Sequence, residues 1–326
     1  MRQVLAVCRL TFLLCLCACT PLASTPTITA PTSIPPVTPT SAPAFRVLAY
    51  VTEGIVVEVI PFERLTHLNY AFLIPNADGT FERLNNPWKL KKILELAHAQ
   101  NVQVLISVGG WGWDAEFETL AADSAARAAF VQNLTAFVAE YNLDGADIDW
   151  EYPDPGDSAR NFLALMIEMR AALPPEKLLT AAVVSYGDEN GLGIPTESFA
   201  VMDFVNIMTY DGPDHGTLGQ FERGLNYWLG RGLPPQKTVL GLPFYSRPNE
   251  VPYRKLVAAD PAAAQSDQFD YFGAQSNYNG IPTVQTKTKI AMQRAGGIMF
   301  WTLDHDSLDE TSLLLAIHQT VHGDTP

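Results

Sequence analysis

From Phe45 onward the chain alternates short apolar runs with longer stretches that are amphipathic or rich in alanine. That alternation is the pattern of consecutive strand–helix units that build a parallel sheet. Residues 47–51, 66–72, 102–108, 145–150, 178–184, 204–208, 238–243 and 297–302 read as eight strands. Helices are predicted over 88–99, 125–141, 158–173, 221–230 and 312–321, whereas the connection after the first strand is short and irregular. Eight strands in ~280 residues match a (β/α)8 TIM barrel. A doubly wound open sheet is the competing architecture. There is no internal repeat and no glycine-rich phosphate loop.

The first 44 residues follow a different rule. Arg2 and Arg9 precede an apolar run over 10–18 that suits a signal peptide and is too short to span a bilayer. All four cysteines, Cys8, Cys15, Cys17 and Cys19, lie here, so the remainder has no disulfide framework. Leu16-Cys17-Ala18-Cys19 resembles a lipobox, which makes Cys19 a candidate lipidation site and the only expected link to a membrane. An ordinary signal peptide cut slightly later is the alternative. Residues 20–43 are Thr-, Pro-, Ser- and Ala-rich and uncharged; they cannot bury enough apolar surface to offset ordering entropy and read as a tether. The predicted divisions are therefore 1–19, 20–44 and a barrel over 45–326. The formal net charge of -14 argues against nucleic acid as a partner.

The candidate chemistry lies in Asp144-Gly-Ala-Asp147-Ile-Asp149-Trp-Glu151-Tyr-Pro153. Strand alternation puts Asp147, Asp149 and Glu151 on one face and Ala146, Ile148 and Trp150 on the other. Three carboxylates facing a barrel lumen repel one another and are costly to desolvate, so packing does not explain them. A metal site would call for histidines or further carboxylates, and no metal or cofactor is expected. Crowded carboxyls bind protons more tightly, and one held protonated near neutral pH can protonate a leaving oxygen. Glu151 is nearest the C-terminal end of the strand, where barrel active sites open, and is the predicted acid. Asp147 and Asp149 are expected to share a proton.

This row resembles the DxxDxDxE signature of family-18 glycoside hydrolases, in the form found in chitinases. Five further segments resemble strand-end motifs of that family in the same order. They are Asn69-Tyr-Ala-Phe72, Ser107-Val-Gly109-Gly110-Trp111, Met208-Thr-Tyr210-Asp211, Gly241-Leu-Pro-Phe-Tyr245 and Gly296-Gly-Ile-Met-Phe-Trp301. The resemblance implies a retaining, substrate-assisted hydrolysis of β-1,4-linked N-acetylglucosamine polymers. Glu151 would be the acid and base, Asp149 would orient the acetamido group, Asp147 would exchange a proton with Asp149, and Tyr210 would hold the acetamido carbonyl. Asp211 and Met208 would line the same subsite.

Trp301 is expected beneath the reacting sugar, Trp111 and Trp113 under neighbouring sugars, and Tyr50 and Phe72 around them. Ser107, Asp144, Gly109 and Gly110 are expected to support the carboxylate row. His67, His215 and His305 read as structural or surface residues, and Arg247 resembles a family position without an assigned role. Residues 248–295 leave room for at most a small insertion between the seventh and eighth strands, with a helix near 286–294. An open groove and endo-type cleavage are therefore expected, and a monomer is expected separately. Cleavage of N-glycans or peptidoglycan, or non-catalytic glycan binding, are the rival functions.

Overall fold

The computed structural model describes residues 45–323, so the predicted signal, Cys19 and the tether lie outside the described residues. The chain runs through seven parallel strands: β1 (Arg46–Thr52), β2 (His67–Leu73), β3 (Gln103–Gly109), β4 (Gly145–Asp149), β5 (Leu178–Val184), β6 (Phe204–Met208) and β7 (Thr238–Pro243). An antiparallel hairpin follows, β8 (Gln268–Tyr271) with β9 (Ala274–Asn277), and then β10 (Gly297–Trp301). β10 pairs with both β7 and β1 and closes an eight-stranded barrel. The predicted (β/α)8 architecture is the observed one.

The helices are α1 (Pro87–Ala99), α2 (Asp114–Ala122), α3 (Ser124–Tyr141), α4 (Asp157–Ala172), α5 (Asp188–Gly191), α6 (Leu218–Gly230), α7 (Tyr253–Ala259), α8 (Ile281–Arg294) and α9 (Leu313–His322). Local chemistry sets several of their ends. The Asp123 carboxylate accepts from the amides of Ala125 and Ala126 at the start of α3, and Asn142 ends it in the left-handed conformation. Thr217 and Ser312 cap α6 and α9 in the same way as Asp123. In place of a helix, the connection after β1 has two short 3-10 turns, Val57–Val59 and Phe62–Arg64.

Strand alternation divides the interior into two layers. Outward residues such as Ile106, Val108, Ile148 and Trp150 join Phe117 and Phe162 from the helices in the larger apolar layer. Inward residues form a smaller one that includes Leu48, Phe204, Val239 and Met299. Polar groups enter the lumen above these, toward the C-terminal ends of the strands. The segment between β7 and β10 is compact, consisting of α7, a 3-10 turn, the hairpin and α8.

Candidate active site

Asp147 and Asp149 project from β4 on the same side, and Glu151 follows just past the strand end. Their surroundings differ sharply. Asp147 is fully buried (0 % exposed) and is met by four donors from four other strands. Tyr50 Oη and Ser107 Oγ bond its Oδ2 at 2.8 and 2.9 Å. Thr180 Oγ1 and Asn206 Nδ2 bond its Oδ1 at 2.5 and 3.1 Å. Burial raises the Asp147 pKa, and these four hydrogen bonds oppose the rise.

Asp149 is almost as buried, at 3 % exposed, but its Oδ1 has no hydrogen-bond partner among the described residues. Burial first, then the charges of Glu151 and Asp147, push its pKa well above the carboxylate range. The proton expected to be shared by the pair is therefore divided unequally, with Asp149 the favoured carrier. Glu151 lies at the mouth, where burial and the Asp211 charge outweigh a hydrogen bond from Tyr152 and raise its pKa to about 7.

Asp211 follows β6 in a left-handed conformation (φ 64°), which aspartate tolerates better than most side chains. Its Oδ1 accepts from Tyr245 Oη at 2.6 Å and Arg247 Nε at 2.7 Å. Burial alone would raise its pKa, but the adjacent His215 ring, these bonds and the Arg247 charge hold it below the usual carboxylate range. Its amide donates to His215 Nδ1 at 3.0 Å, which leaves the imidazole proton on Nε2, facing the Tyr245 carbonyl at 3.2 Å. The site thus places Asp211, held as a carboxylate, beside a Glu151 carboxyl that keeps its proton up to about pH 7.

The glycine pair after β3 is required by close approach. A Cβ on Gly109 would lie 2.5 Å from the Asp149 carbonyl oxygen, and one on Gly110 would lie 2.6 Å from the Phe72 ring. Both also have positive φ, at 105° and 88°. Phe72 stacks on Trp301 with ring centres 5.4 Å apart, and Tyr50 packs 5.8 Å from the same indole. Together with Met208, Tyr210 and Asp211, these residues line a cavity of about 1050 Å3 at the C-terminal mouth of the barrel. Trp111 stands at its rim, 79 % exposed.

Not every predicted residue reaches the cavity. Trp113 does not line it; the turn through Gly110 and Gly112, both with positive φ, carries the chain into α2, where Trp113 is the N-cap. Tyr50 lines the cavity, but its hydroxyl is committed to Asp147 beneath. Asp144 lies at the start of β4, accepting from the Val104 amide at 2.7 Å and bonding His98 Nε2 at 2.8 Å, so it supports the strand from below. His215 is buried beneath Asp211 and is structural in that sense.

Sequence reasoning missed Thr180 and Asn206, although each is a polar residue at an inward position of an otherwise apolar strand, which was the available signal. Tyr152 and Tyr245 were missed as site residues because they lie past their strand ends, where alternation no longer predicts direction.

A sequence profile described as Glycosyl hydrolases family 18 matches residues 46–306. The chain belongs to that family. Two solved structures share its fold along most of the barrel. A chitinase from the chitin utilization locus of Flavobacterium johnsoniae is 30 % identical, with a TM-score of 0.75 over 86 % of this chain and 94 % of its own. A chitinase from Bacteroides thetaiotaomicron is 27 % identical, with a TM-score of 0.78 over 87 % and 99 %. Among curated proteins, a chitinase-like effector of Moniliophthora roreri is 31 % identical over 57 % of this chain. The match spans 53 % of that protein, so this family-18 chain corresponds to about half of its relative's length.

Proposed function

We propose that this family-18 protein hydrolyses β-1,4-linked N-acetylglucosamine polymers, chitin or its oligosaccharides, with retention of anomeric configuration. The observation that carries the reading is the placement of the carboxyls: Asp149 is buried with an unpaired Oδ1, and Glu151 lies above it at the barrel mouth, where burial and the Asp211 charge raise its pKa to about 7. In the first step Glu151 donates its proton to the glycosidic oxygen as the C1–O bond breaks. The carbonyl oxygen of the sugar's own acetamido group closes on C1 and forms a cyclic oxazolinium ion. Asp149, whose Oδ1 is unengaged, turns to the acetamido nitrogen and offsets the positive charge as its proton moves toward Asp147. Tyr210 donates its hydroxyl hydrogen bond to the acetamido oxygen and orients it. In the second step the Glu151 carboxylate takes a proton from water, which attacks C1 and reopens the ring.

The small segment between β7 and β10 supports endo action, since it adds a short helix and a hairpin rather than a tall wall. The proposal extends to residues 1–44: export, lipidation at Cys19 and a tether to the barrel. Membrane fractionation of Cys19→Ala tests the anchor, which predicts release of the variant into the medium.

The main test compares wild type with Glu151→Gln on chitooligosaccharides. The wild type is expected to cut internal bonds and release the β-anomer. The variant should lose roughly 1000-fold or more in kcat while still binding the oligosaccharide. Wild-type kcat/KM should fall as pH rises through about 7, because the acid must be protonated to act. Binding without cleavage by the wild type would instead favour a glycan-binding protein, and release of the α-anomer would exclude the acetamido nucleophile.

A further inference from the structure

Lys287 lies on α8 and takes no part in the chemistry above, yet it is fully buried, at 0 % exposed. Its Nζ donates to the Gly216 carbonyl at 2.7 Å and to Asn279 Oδ1 at 2.8 Å. Asn279 Nδ2 donates to the same Gly216 carbonyl at 2.6 Å. The Phe221 ring covers another side of the ammonium, with its centre 5.4 Å from Nζ. Burial lowers the Lys287 pKa to about 7, and Asp267 is the charged group that opposes this.

A buried ammonium is an expensive way to fill space, and a methionine would occupy similar volume without the desolvation cost. What an apolar side chain cannot do is bind a loop carbonyl. Gly216 belongs to the segment that follows Asp211, and it approaches Asn279 closely: a Cβ there would lie 2.9 Å from Asn279 Nδ2. From Gly216 a continuous path leads to the site. Its amide donates to Gln220 Oε1 at 3.0 Å, and Gln220 Nε2 donates to the Asp211 carbonyl at 2.7 Å. Asp211 is thus held at its backbone by a link that ends on Lys287 and at its carboxylate by Tyr245 and Arg247.

We propose that Lys287 is a positioning residue that, acting through Gly216 and Gln220, holds Asp211 in place beside Glu151. The inference rests on the reading of Glu151 as the acid, but it can be measured without turnover. Besides Asp211, the groups that act on the Glu151 proton are Tyr152, which bonds its carboxyl, and the neighbouring Asp149. Displacing Asp211 removes a charge that favours that proton, so the Glu151 pKa should fall.

The experiment uses the full chain with Lys287→Met and follows the Glu151 carboxyl by carbon-13 NMR titration, the signal being assigned by its loss in Glu151→Gln. Thermal denaturation and kcat/KM against pH are measured alongside. The expected result is a Glu151 midpoint lower by several tenths of a pH unit, the basic limb of activity shifted equally, and kcat reduced roughly tenfold. A lower Tm with an unmoved Glu151 midpoint would reduce Lys287 to a packing residue and overturn the proposal. A wild type that hydrolyses nothing would refute the hydrolase reading, while the NMR midpoint would still decide the role of Lys287. If Lys287→Met does not fold, Asn279→Leu removes the other donor to the same carbonyl and the acceptor that holds Lys287, and should shift the Glu151 midpoint in the same direction.

Discussion

Asp147 and Asp149 are two residues apart on one strand, face the same lumen and are almost equally buried, yet they occupy opposite surroundings. Around Asp147 the lower lumen offers Tyr50, Ser107, Thr180 and Asn206, enough donors to satisfy both carboxylate oxygens. Around Asp149 the upper lumen offers Oδ1 no partner among the described residues and places the Glu151 carboxyl nearby. Burial alone therefore does not set the state of a carboxyl. The donors and the charges aimed at it act as well, the donors because each one replaces hydration lost on folding. A site that must move protons needs both kinds of neighbour, one carboxylate held by its surroundings and one left free to turn.

The same substitution at the two positions gives the hardest test of that contrast. Asp147→Leu strands four buried donors and should cost about 4 kcal/mol or more, seen as a large drop in Tm or a failure to fold. Asp149→Leu removes a carboxyl with an unsatisfied oxygen and should leave Tm unchanged or raise it, although hydrolysis is lost. The pH dependence sharpens the second case. The folded-state pKa of Asp149 lies above its unfolded value, so its contribution to stability is full at low pH and is lost as pH rises toward the folded value. The Tm advantage of Asp149→Leu over wild type should therefore widen from pH 4 to pH 8. A constant difference would mean that Asp149 folds ionised. The smallest effect is expected from Thr180→Val, which removes one of the four donors with little change in shape. It should cost about 1.5 kcal/mol by chemical denaturation. No change would show that the remaining three donors suffice.

The barrel was legible because its strands are short apolar runs between helices, and all eight were placed within a residue or so of their observed ends. The elements that escaped lack such a signal. α2 begins directly after a glycine-containing turn. The β8–β9 hairpin is largely polar, with Gln268, Asp270, Gln275 and Asn277 in its strands and Phe272-Gly273 at its turn. Helix α8 begins at Ile281, ahead of the expected 286, with Pro282 in its first turn, where a missing amide hydrogen costs no helical bond. Within the site, the acidic row was legible from alternation, as was the outward direction of Trp150, whose Nε1 donates to Asp114 at 2.8 Å, whereas Ser107 was legible from the family resemblance of its segment. Trp113 was not, because a glycine turn and not a strand sets its direction.

The sequence by itself determined which residues face the lumen, since that follows from a period of two along each strand and a dry outer layer that excludes charge. It also determined the order of the strands and hence which end of the barrel carries the carboxylates. Only the tertiary structure decided how protons are divided among Asp147, Asp149 and Glu151. That division depends on donors contributed by β1, β3, β5 and β6 and on Asp211 held by Tyr245 and Arg247 from beyond β7. Proton affinity is set by distances of about 3 Å between groups far apart in the chain, and closure of the barrel is what fixes those distances.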